Sequence, residues 1–138
     1  MSTTWREELG EACKSRAERD AEEKERQRKR VEEALRVADV AVEQAADALR
    51  FAGSRLQEKG QPATLSDGGG GLSLTLGDQR LALELDRATA VVRVLFNEAR
   101  PREFDFAKDK HIAPKDVEEY VGRRAIELVR AAQKQTPW

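Results

Sequence analysis

The sequence predicts an α+β fold: a long N-terminal helix, a four-stranded antiparallel meander and a C-terminal helix, with both helices on one face of the sheet. Three observations carry this expectation. Apolar residues recur at helical spacing along a proline-free run from Thr4 to Lys59. Strict alternation of apolar and polar residues begins at Leu72. A third segment, opened by Pro114, returns to helical spacing and ends near Lys134.

The first helix starts at a capping box, Thr4-Trp5-Arg6-Glu7, in which Thr4 and Glu7 satisfy amides that the helix leaves without partners. Gly60 followed by Pro62 is its stop signal. At 1.5 Å per residue such a helix is on the order of 80 Å long. A compact domain of this chain length is only about 30–35 Å across. One uninterrupted helix must therefore project, pair with another chain, or break, with Arg30 the natural place for a break.

The two halves of the run differ in composition. Between Lys14 and Arg30, 13 of 17 residues are charged, which gives a solvated arm over residues 1–30. Asp20–Lys24, Glu22–Arg26 and Glu25–Lys29 are acid-first pairs at i,i+4, each worth about 0.2–0.5 kcal/mol to a helix. From Val31 the series Val31, Leu35, Ala38, Val42, Ala45, Leu49, Ala52 and Leu56 alternates steps of four and three, a heptad seam. Val37, Val40, Ala41, Ala46 and Ala48 widen that stripe beyond what a two-stranded coil requires. Trp5, Leu9 and Cys13 restore an apolar stripe at the tip of the arm.

Residues 31–138 form the expected domain: helix 31–59, a flexible Gly-rich linker 60–71, a sheet 72–107 and a helix 114–134. Leu72, Leu74 and Leu76 line one face of the first strand, and Gly77-Asp78 supplies a hairpin turn. Leu81, Leu83 and Leu85 continue that face in the second strand. Ala90, Val92, Val94 and Phe96 do so in a third, about residues 89–96, and Phe104 and Phe106 in a fourth. Short turns make the meander the economical topology. Asp116, Glu118 and Glu119 complement the dipole at the start of the last helix, whose buried stripe is Val117, Val121, Ala125, Leu128, Val129 and Ala132.

The remaining features bound the function. The 138 residues suffice for one ordinary domain, and 25 basic against 26 acidic residues leave a net charge of -1. No global field favours nucleic acid or membrane. A lone cysteine, no secretory-type N-terminal segment and no membrane-length apolar run lead to the expectation of a cytoplasmic protein. His111 is the only histidine; with Asp105 and Asp109 it could form a general-base pair, but no nucleophile accompanies it. The glycine run after Asp67 lacks the Gly-Lys-Ser/Thr ending of a phosphate loop and precedes a strand. Glu84, Asp86 and Asp105 read as a solvated sheet face; Val91 and Leu95, on the face opposite Val92 and Val94, form a modest patch that is either a contact surface or the covered centre of the sheet. No catalytic residue, metal ligand or cofactor site is expected.

These features lead to a non-enzymatic oligomeric scaffold or adaptor that binds a protein partner and self-associates, most simply as a homodimer, through the long helix. Trp5, Leu9, Val31, Leu35, Val42 and Leu49 are the contact residues this reading selects. The alternative is a nucleic-acid-binding accessory protein that uses Arg26, Arg28, Lys29 and Arg30. On a helix, those neighbours point in several directions, and Glu22, Glu23, Glu25, Glu32 and Glu33 dilute them.

Overall fold

A computed structural model describes residues 4–68 and 71–138. The chain divides into two compact units, Met1–Arg30 and Val31–Trp138. The element order is α1 (Trp5–Ala12), α2 (Arg16–Glu58), β1 (Thr64–Gly68), β2 (Gly71–Leu76), β3 (Gln79–Asp86), β4 (Val91–Phe96), β5 (Arg102–Asp105) and α3 (Pro114–Gln135).

In the first unit the expected continuous helix is interrupted at Cys13–Ser15, well before Arg30. The cause is local capping. Thr4 Oγ1 accepts the Glu7 amide at 3.3 Å to start α1. Ser15 Oγ then accepts the Glu18 amide at 3.1 Å to start α2 afresh. Lys14 lies 2.8 Å from Glu11 and 2.8 Å from Glu22, and Arg19 donates to the Glu11 carbonyl at 3.3 Å. The carboxyl of Glu11 is held below the usual carboxylate range by the Lys14 ammonium, whose own pKa the hydrogen bonds to Glu11 and Glu22 raise.

In the second unit, α2 stops where Gly60 takes a φ of 76°. There Gln61 N–H reaches the Leu56 carbonyl and Gly60 N–H the Gln57 carbonyl, each at 2.9 Å. This pair of bonds is a Schellman ending, for which a residue tolerant of positive φ is needed.

Five strands, not four, form the sheet, in the order β1-β2-β3-β4-β5, every neighbour antiparallel. The additional strand, β1, occupies part of the segment expected to be linker. Thr64-Leu65-Ser66 pairs with Thr75-Leu74-Ser73, and Leu65 comes to the leucine face opposite Leu74. Two residues of the expected flexible run, Gly69 and Gly70, lie outside the described residues. Gly71 is fixed by packing: a Cβ there would stand 2.2 Å from the Leu83 carbonyl oxygen, so no larger residue fits. The third expected strand begins two residues later than its pattern suggests. Ala90 instead closes a turn with φ 58°, in which Asp86 Oδ1 accepts the Ala88 amide at 3.0 Å.

Cross-strand ladders place Leu65, Leu74, Leu81 and Phe96 in one row of the covered face. Leu72, Leu83 and Val94 form the next row, and Leu85, Val92 and Phe104 the third. The buried side of α2 and that of α3 belong to the same hydrophobic cluster as this face. On α3 the expected stripe is observed: Val117, Val121 and Leu128 are fully buried, Ala125 nearly so. Its start is secured by Asp116, which accepts the Ala113 amide at 2.8 Å.

Candidate functional site

Within residues 31–58, α2 buries Ala34, Ala38, Ala41, Ala45, Ala46, Leu49, Gly53 and Leu56. At Gly53 the helix comes close to the sheet: a Cβ there would come within 3.0 Å of Leu65 Cδ1 and 3.5 Å of Leu74 Cδ1. The heptad seam is thus absorbed by the chain's own core. Leu49, chosen from the sequence as a self-association residue, is fully buried there and offers no surface to a second molecule. Val31, Leu35 and Val42 are half-buried and packed against the same cluster. The sequence could not separate the two uses of a heptad, because intrachain and interchain burial demand the same spacing.

A different apolar set remains open on the second unit. Phe51 is 69% exposed, Val40 45%, Val37 39%, and Ile126 on α3 49%. Val37, Val40 and Phe51 lie on a flank of α2 about a third of a turn from its buried centre, and half-buried Gln44 and Ala48 fill the gaps between them. In the sequence Val37, Val40 and Ala48 broaden the seam, and Phe51 is not part of that pattern.

Among its described residues the first unit buries none. No residue of α1 is buried, and none of residues 16–30 is. Trp5 is 67% exposed and Leu9 55%; one helical turn apart, they share a face. Arg6 lies over the Trp5 ring at 5.4 Å and Cys13 is exposed.

Two of the four basic residues, Arg26 and Arg28, pair with acids one turn earlier. Arg28 makes a two-pronged contact with Glu25 (Nη2 to Oε1 2.5 Å, Nε to Oε2 3.1 Å), which lowers the Glu25 pKa. Arg26 lies 3.7 Å from Glu23, and Arg30 donates to Gln27 at 3.4 Å. Lys29 is exposed. Glu25 pairs at i,i+3 with Arg28 and Glu22 turns back to Lys14, so these two carboxylates adopt partners other than the Lys29 and Arg26 that i,i+4 spacing suggests.

The uncovered sheet face carries a shallow groove of about 230 Å³ lined by Ser66, Gly68, Gly71, Ser73, Arg80, Ala82 and Glu84. Further along that face Arg93 sits between acids, 3.7 Å from Asp86 and 3.4 Å from Glu103, which disperses the negative charge expected there. Val91 is nearly buried and Leu95 half-buried on the same face. In the loop before α3, Asp105 Oδ1 accepts the amides of Ala107 and Lys108, and Asp109 Oδ1 accepts that of His111 at 2.9 Å. Both acids are turn-forming acceptors, and His111 is exposed beside them. Among the described residues no group of three or more His, Cys, Asp or Glu side chains could hold a metal ion. No described helix is long and apolar enough to cross a membrane. Comparison with protein-family models, curated proteins and solved structures finds no match to this chain.

Proposed function

We propose that this chain is a non-enzymatic scaffold or adaptor that self-associates through its long helix and captures a protein partner through its N-terminal arm. The observation that carries the partner half of this reading is the exposure of Trp5 and Leu9 on a capped helix with no core of its own. Beyond the Arg6 guanidinium over its ring, Trp5 stays open to water, and large aromatics are the residues that dominate contact energetics when a partner covers them. Charged flanks keep such an arm dissolved until a partner arrives.

The deciding experiment compares proteins cross-linked to the wild-type chain with those cross-linked to a Trp5→Ser/Leu9→Ser variant, alongside absolute mass by light scattering. The expected result is loss of specific cross-links to residues 1–13 with the mass unchanged. Identical cross-linked species from both chains would overturn the partner role of the arm, and a monomer at every concentration would overturn the self-association.

A further inference from the structure

The exposed flank of α2 is self-complementary. From Glu33 it reads Glu33, Val37, Gln44, Phe51 and Arg55, with Val40 and Ala48 filling the intervals. The steps between these seven positions run four, three, four, four, three, four, the same in both directions about Gln44. Reversing the helix about that residue brings Val37 against Phe51, Val40 against Ala48 and Gln44 against itself. Glu33 and Arg55, each eleven residues from Gln44, then meet with opposite charge.

We infer that this flank is the contact by which α2 pairs antiparallel with a second copy of the chain, on a two-fold axis through Gln44. The inference rests on the self-association reading above and moves it from the heptad seam to the flank. Two-fold pairing requires that a patch complement itself, and a palindromic spacing that sets a small residue against a larger one and an acid against a base meets that requirement. Phe51, the most exposed apolar residue on this flank, would cover Val37 of the second copy and be covered by it. A glutamine on the axis both donates and accepts, so two Gln44 amides satisfy each other and fix the register. The Arg55 guanidinium lies 3.3 Å from Glu58 of its own chain, an exposed pair of small worth that leaves it able to reach a second carboxylate. Close to the axis Glu43 and Asp47 would face their own copies; Arg50, 3.0 Å from Asp47, offsets part of that repulsion.

The stripe from Glu33 to Arg55 is about 33 Å long at 1.5 Å per residue. One helix face of that length falls in the small-interface class, below about 1,200 Å² in total, so the pair is concentration-dependent.

Single cysteines in a Cys13→Ser background test the register. Under mild oxidation Gln44→Cys should give a disulfide-linked dimer, and Val37→Cys alone should not, because antiparallel pairing holds the two copies of position 37 about 21 Å apart. Val37→Cys/Phe51→Cys should link again. A charge exchange supplies the second readout: Glu33→Arg should weaken the dimer several-fold, and Glu33→Arg/Arg55→Glu should restore it. Both positions are exposed, so the fold is not at stake, and circular dichroism checks it. A dimer by light scattering in which Val37→Cys links as readily as Gln44→Cys would be parallel. A dimer in which neither links would use another surface. Either result overturns this interface and leaves self-association standing, whereas a monomer at all concentrations overturns both.

Discussion

Residues 16–30 and 31–58 are drawn in one helix element, yet they are held by different forces. The first stretch buries nothing and is maintained by the Ser15 cap and by side-chain pairs such as Glu25–Arg28. The second buries eight residues against a leucine-lined sheet. Local pairs on an exposed helix contribute tenths of a kcal/mol each. A single buried leucine contributes about 1.5–3 kcal/mol. Helical continuity therefore says little about stability, and the two stretches should respond to mutation on different scales.

The largest effect should come from the buried stretch. Leu49→Ala should cost about 2–5 kcal/mol, the range for truncating a core leucine, read as a lowered midpoint in urea unfolding of the second unit. Leu49→Asp should abolish that unit's folding rather than dissolve an assembly. If Leu49→Asp yields a folded chain with altered mass, the leucine is an interface residue and the assignment of the seam to the core is wrong.

Overpacking comes next. Ala41 is fully buried on the helix face closest to the core, so Ala41→Leu should cost about 1–3 kcal/mol. Val40→Leu, one residue away and exposed on the flank, should leave the midpoint nearly unchanged at concentrations where the chain is monomeric. Equal effects at the two positions would mean the helix is rotated from the orientation described.

In the arm the effects are smaller and confined. Ser15→Ala removes the acceptor for the Glu18 amide and should cost the local helix about 0.5–2 kcal/mol, seen as faster amide exchange in residues 16–22. The unfolding midpoint of the second unit should not move. A shift in that midpoint would contradict the separation of the two stretches.

The smallest effect is the response to acid. Glu11 and Glu25 have pKa values lowered by Lys14 and Arg28, so their contribution is present above the ordinary carboxylate range and is lost as pH falls through the lowered values. Lys14, with its pKa raised, contributes below the ordinary lysine value and loses that contribution as pH rises past it. Arm helicity followed by amide chemical shifts should therefore fall at both extremes and hold steady between them. An arm whose helicity rises on acidification would remove these pairs from the account.

How legible this was from the residues varied with the source of each element's stability. The leucine alternation from Leu72 to Leu85 and the stripe from Val117 to Leu128 identify their buried faces because one period admits one face. The first strand was lost because Thr64-Leu65-Ser66 carries only one large apolar residue, and its stability comes from Leu74 and Gly53, far off in sequence or on another element. The break at Cys13–Ser15 does carry a sequence signal: Ser15-Arg16-Ala17-Glu18 has the same capping pattern as Thr4-Trp5-Arg6-Glu7. The exposure of Phe51 was not legible, since a phenylalanine in an apolar half-helix reads as core until the buried face is known.

Hydrogen exchange resolved along α2 tests the central contrast most directly. Amides from Ala38 to Leu49 should exchange only through global unfolding of the second unit, and those from Arg16 to Arg30 should exchange orders of magnitude faster, through local opening. Uniform protection from Arg16 to Glu58 would contradict the account, because it would require tertiary burial in a stretch where none of the residues is buried.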